Sequence, residues 1–162
     1  MKATKPQLPL RALIYDHDIL KTQQTASWFR LSGQSVDTCA HYDGFLDLLE
    51  KNIYDVVIFD INSDDNGEDS FHAIKVHRAC APTSLTNFIL YTDKSYASFT
   101  DDINATRVAG IIHKTGLNSS GIFFSTLANM LSFSPKLAQL WLNTYENKII
   151  KKASNVVQFK VS

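Results

Sequence analysis

Asp55-Val56-Val57-Ile58-Phe59-Asp60 is the stretch on which the fold turns. Its apolar centre is continuous rather than alternating, as in a parallel strand covered on both faces, and a carboxylate closes it at Asp60. Before it, Asp43 is expected to cap a helix whose buried stripe is Phe45, Leu46, Leu48 and Leu49. A short strand over 36–40 precedes that helix. Further out, residues 19–31 fit a helix loosely through Ile19, Leu20, Ala26, Phe29 and Leu31, with Gly33 as its stop. The compact run 12–15 reads as a buried first strand, ended by Asp16. After Asp60 comes a polar loop over 62–69, then a helix around 71–79 and a strand over 87–92. A weak polar helix (95–108), a short strand (109–113) and a helix over 117–133, with Ile122, Phe123, Leu127, Met130 and Leu131 on helical spacing, complete the alternation. Five such units predict an α/β fold, a doubly wound five-stranded parallel sheet with right-handed crossovers. Ligands of such sheets sit beyond the carboxyl ends of the strands, which here carry Asp16, Asp60, Thr92 and Lys114.

Composition narrows the class. The chain has 162 residues, 16 Lys plus Arg against 16 Asp plus Glu, 44% hydrophobic and 20% charged residues, the profile of an ordinary soluble domain. Zero net charge counts against nucleic acid as a partner, since such binding rests on neutralising phosphates. No apolar run approaches the ~18–20 residues that cross a bilayer, and the start lacks the apolar core of a signal peptide. A cytoplasmic protein with no membrane partner is the expectation. Cys39 and Cys80 lack metal-ligand spacing and are expected as a reduced, buried pair.

The four strand-end residues suggest one chemistry. Two carboxylates on neighbouring strands can hold Mg²⁺, which takes oxygen ligands and keeps several waters. A carboxylate can also attack phosphorus to form an acyl phosphate, whose oxygens a Thr hydroxyl and a Lys ammonium can bind.

Over residues 11–133 the chain is similar to the receiver domain of two-component response regulators, a flavodoxin-like fold. The likeness rests on Ile-Tyr-Asp16, Val-Val-Ile-Phe-Asp60, Leu-Tyr-Thr92 and Ile-Ile-His-Lys114. It implies that Asp60 is the phosphoacceptor, that Asp16, Asp60 and the main-chain carbonyl of Asn62 form the metal site, and that Thr92 and Lys114 sense the phosphoryl group. It implies no enzymatic activity, and a histidine kinase or an effector enzyme as partner.

The departures cluster at the same place. His17 stands where the family has an acidic metal ligand, and imidazole suits Mg²⁺ poorly, so Mg²⁺ binding is expected to be weak; Asp18 is displaced by one residue. Asp64 and Glu68 replace the usual Pro and Gly of the loop, with Gly67 one residue early. Asp93 follows the switch Thr, Thr115 replaces the Pro after the Lys, and Ile111 replaces an aromatic residue. Crowded carboxylates disfavour a further anion. The pattern favours an atypical, stand-alone receiver that signals by protein–protein interaction independently of phosphorylation. The other reading is a conventional phosphoaccepting receiver or phosphate sink using Asp60 and Mg²⁺.

Residues 1–10 read as a tail, 11–133 as the receiver-like domain and 134–162 as an extension. In the extension Ser134 and Pro135 open an added C-terminal helix with Leu137, Leu140, Trp141, Tyr145, Ile149 and Ile150 on one stripe. That stripe either packs on its own domain or serves a homodimer or another partner. The expected contact surfaces are 95–133 and 135–152.

Overall fold

The computed structural model describes residues 10–31, 33–62, 69–114 and 120–130. Five strands alternate with five helices: β1 Arg11–Tyr15, α1 Ile19–Leu31, β2 Ser35–Cys39, α2 Tyr42–Lys51, β3 Val56–Phe59, α3 Ser70–Cys80, β4 Asn87–Thr92, α4 Thr100–Thr106, β5 Gly110–His113 and α5 Ser120–Met130. A 3-10 turn, Ala97–Phe99, precedes α4. The strands form one parallel sheet in the order β2-β1-β3-β4-β5. The chain leaves β1 for one side and then returns past it to β3, so the strand order reverses between β1 and β3. That reversal opens a crevice at the carboxyl ends of the strands, and the pairing Tyr15↔Phe59 puts Asp16 beside Asp60 at its mouth.

Alternate strand residues feed two cores. On one face Ala12, Ile14, Val56, Ile58, Ile89, Tyr91 and Ile112 meet Ala26 and Phe29 of α1 and Phe123, Phe124 and Leu127 of α5. On the other, Leu13, Tyr15, Val57, Phe59, Phe88 and Leu90 meet Phe45 and Leu49 of α2 and Phe71, Ala73 and Ile74 of α3. Burial on both faces is why β3 and β4 read as continuous apolar runs.

Several local expectations are corrected. His41, not Asp43, is the N-cap residue of α2, and its side chain makes no capping bond. The helix starts earlier because Tyr42 is buried in the core; Asp43 falls in the first turn, where a carboxylate suits the helix dipole. Ile19, Leu20 and Leu31 of α1 are exposed, and the buried face is Thr22, Thr25, Ala26 and Phe29. In α5, Ile122 is exposed and Phe124 is buried in its place. Gly33 does follow the end of α1, at φ 84°. Cys39 and Cys80 are both free thiols, but Cys80 is exposed rather than buried. The added helix over 135–152, with the homodimer expected through it, lies outside the described residues, as do Asp64, Asp65, Gly67, Glu68 and Thr115.

Candidate phosphoacceptor site

The strand ends bring Asp16, Asp60, Thr92 and Lys114 together, and all four are buried. Backbone pairing continues past the strands: Asp16 N–H donates to Cys39 O, Asp60 N–H to Tyr15 O and Lys114 N–H to Thr92 O, at 3.0–3.2 Å. Each functional side chain therefore leaves from a backbone fixed on the sheet.

Lys114 Nζ sits between the two carboxylates, 2.5 Å from Asp16 Oδ2 and 2.6 Å from Asp60 Oδ2. The second oxygens are held as well. Asp16 Oδ1 accepts from the N–H of Asp18 at 2.9 Å, and Asp60 Oδ1 from the N–H of Ile61 at 2.7 Å. Burial alone would pull the Lys114 ammonium below the usual lysine range. Its hydrogen bonds to Asp16 and Asp60, with the charges of both, more than reverse this and leave its pKa raised. Lys114 also stands 5.6 Å from the ring centre of Tyr91, within the range of a cation–π contact.

The neighbouring residues Asp18, His17 and, through its main chain, Asn62 have partners of their own. Asp18 turns outward to cap α1, its Oδ1 accepting from the N–H of Lys21 at 3.0 Å. His17 is exposed and its ring packs edge-on against Tyr15 and His41, at centroid distances of 6.1 and 6.3 Å. The main-chain carbonyl of Asn62 accepts from the N–H of Ser70 at 2.9 Å. Ser70 Oγ ties the same turn together, donating to Asp60 O at 2.5 Å and accepting from Asn62 N–H at 2.9 Å. The Asn62 side chain, only 2% exposed, has no partner for its Nδ2 or Oδ1 among the described residues. Asp93 is exposed, so solvent screens its charge from the site.

Two participants carried no sequence signal. Lys94 crosses from the loop after β4 to place Nζ 2.6 Å from Ile61 O, while its N–H donates to Thr92 Oγ1 at 3.0 Å. Ser70 is the other; as the first residue of α3 it was open to discovery only through the start of that helix.

Carboxylate oxygens are donors that suit Mg²⁺. Asp16 and Asp60 could supply carboxylate oxygens to a divalent cation, and the buried amide oxygen of Asn62 has no hydrogen-bond partner among the described residues. Among the described residues no three His, Cys, Asp or Glu side chains group to hold a metal ion.

Neither a protein-family model nor a curated protein matches the chain. Solved structures do. The chemotaxis protein CheY4 of Vibrio cholerae aligns at TM-score 0.66 and 21% identity, over 76% of this chain and all of that one. A CheY-like response regulator receiver domain protein from Methanospirillum hungatei JF-1 aligns at 0.67 and 17%, over 80% and 98%. The signal receiver domain of an HD domain-containing protein from Pseudomonas fluorescens Pf-5 aligns at 0.68 and 14%, over 86% and 98%. The fold is that of a receiver domain. The five-stranded parallel sheet and its flanking helices are thus as the sequence predicts. No described helix is long and apolar enough to cross a membrane.

Proposed function

We propose that this chain is an atypical response-regulator receiver that works by protein–protein interaction and whose signalling state does not require phosphate. The observation that carries the reading is the Lys114 ammonium, seated between two buried carboxylates and within 2.6 Å of both. Two carboxylates and one ammonium leave a net negative site, and an acyl phosphate on Asp60 would add to that charge. Without a bound cation, phosphoryl entry is therefore disfavoured. A divalent cation reaching Asp16 and Asp60 would compete with a hydrogen-bonded ammonium. His17 turned outward, Asp18 spent on α1 and the Asn62 carbonyl spent on Ser70 all support weak metal binding. The chain acts as a binding module rather than an enzyme, and a histidine kinase or an effector enzyme is the partner. The α4–β5–α5 side supports docking: Ile122 is exposed there, and Tyr96 packs on His113 at 5.6 Å between ring centres.

A conventional phosphoaccepting receiver is the second reading, favoured by one observation. Thr92 is buried at the end of β4 and its carbonyl accepts from the N–H of Lys114, so the two phosphoryl-sensing side chains leave adjacent strand ends. In that reading Asp60 attacks phosphorus, Thr92 and Lys114 bind the phosphoryl oxygens, and Asp16, Asp60 and Asn62 hold Mg²⁺, whose charge offsets that of the transferred group.

The two readings separate in one experiment. The protein is incubated with Mg²⁺ and acetyl phosphate or beryllofluoride, and intact mass and amide chemical shifts are followed, with Asp60→Ala as control. The expected outcome is no stoichiometric adduct, and partner binding that Asp60→Ala leaves unchanged. A stoichiometric adduct that Asp60→Ala abolishes sinks the phosphate-independent reading.

A further inference from the structure

The carboxyl ends of β1 and β2 carry a feature that the acidic site does not use. The parallel register Tyr15↔Cys39, carried two residues onward, sets His17 beside His41. Both are exposed, and their imidazole centroids are 6.3 Å apart at an interplanar angle of 63°. Neither ring is spent on the fold. His41 is the N-cap residue of α2, yet its side chain makes no capping bond, and no hydrogen bond holds either imidazole among the described residues. The pair is nevertheless held in place. Tyr15 stacks on Phe45 at 4.2 Å, and the His17 ring packs edge-on against Tyr15. Phe45 in turn lies one turn into α2 from His41, whose carbonyl accepts its N–H at 3.0 Å. A buried ring thus borders the His17 imidazole, a main-chain bond ties the backbone of His41 to α2, and both residues are exposed.

From this geometry we propose that His17 and His41 form a solvent-open site for a borderline transition-metal dication, of the Ni²⁺ or Zn²⁺ type. Neutral imidazole is the common protein ligand for such ions, whereas Mg²⁺ prefers oxygen. With metal–nitrogen bonds of about 2.0–2.1 Å and a tetrahedral angle, two bound imidazoles have centroids about 5 Å apart. Small side-chain rotations of the two exposed residues connect that spacing with the observed one. Two protein ligands leave positions for water or for a partner's side chain. His17 adjoins Asp16, so a dication here lies next to the Lys114-bound carboxylates without using them. The site is independent of whether Asp60 ever carries phosphate.

The probe is Ni²⁺ alone, titrated calorimetrically into the full chain. One site is expected, and His17→Ala and His41→Ala should each weaken it by about tenfold or more, since even outer-shell changes at metal sites reach that size. His113→Ala and Cys80→Ser should leave it unchanged, and circular dichroism should show each variant folded. If affinity is unmoved by both His17→Ala and His41→Ala, or falls as far with His113→Ala or Cys80→Ser, the proposal is overturned.

Discussion

Removing the Lys114 ammonium takes from Asp16 and Asp60, both buried, their ion-pair partner among the described residues. Breaking a buried ionic contact by deleting one partner costs about 3–5 kcal/mol. Lys114→Met is therefore expected to lose about that much in urea unfolding at pH 7. The alkaline limb has its own sign. The folded-state pKa of Lys114 is raised, so its contribution is whole below the unfolded lysine value of about 10.4 and is lost as pH rises through the higher folded value. Wild-type stability should fall more steeply than that of Lys114→Met above that point; parallel curves would refute the assigned role. At this scale the sequence was most informative about residue identity. Asp16, Asp60, Thr92 and Lys114 could be named because each ends an apolar run. The opposite fates of His17 and Asp18 could not: a cap on α1 and a ring contact with His41 depend on directions that spacing does not encode.

Packing between elements explains what the periodicity misread. The buried face of α1 runs through Thr22, Thr25, Ala26 and Phe29, leaving three larger apolar residues in solvent. The threonines are tolerated there because Thr25 Oγ1 donates to Lys21 O at 3.0 Å and Thr22 Oγ1 lies 3.5 Å from Asp16 O. A pattern search sees only polar residues at those positions. The β5–α5 contact offers a test. A Cβ at Gly110 would meet the Sδ and Cγ of Met130, the latter at 2.8 Å. Gly110→Ala is expected to destabilise by about 1–3 kcal/mol, the usual cost of overpacking, and Met130→Ala in the same chain should recover part of it. Additive effects of the two substitutions would show that β5 and α5 do not meet there. At the end of α4, Arg107 takes the left-handed conformation at φ 54°, which glycine adopts without steric cost. Arg107→Gly should thus be neutral or stabilising by up to about 1 kcal/mol in thermal melts.

For the whole molecule, the alternation of strands and helices made the doubly wound sheet legible, because each β3- or β4-like run must be covered on both faces. What the sequence left open is depth, and the two thiols measure it. Cys80 is exposed at the end of α3, while burial and then the charge of Asp37 push the Cys39 thiol up to about 12. In native protein at pH 7.5 one thiol should react quickly with a disulfide reagent, and Cys39 only at the rate of opening of β2. Fast reaction of both would mean that the β2 edge opens far more readily than the rest of the sheet.

The ion pair of Lys114 with Asp16 spans 98 residues of chain. Closing so long a loop is entropically costly and slow to repay, so the contact can form only when β5 docks at the far edge from β2. Until then a growing or refolding chain carries two like charges on adjoining strands, and they oppose the pairing of β1 with β3. Docking of the last strand removes that repulsion at once. The acidic cluster thus acts as a latch on chain completion: a chain truncated before residue 114 would hold its first three strands together against a charge that Lys114 otherwise offsets, and only the finished sheet brings the lysine that closes it.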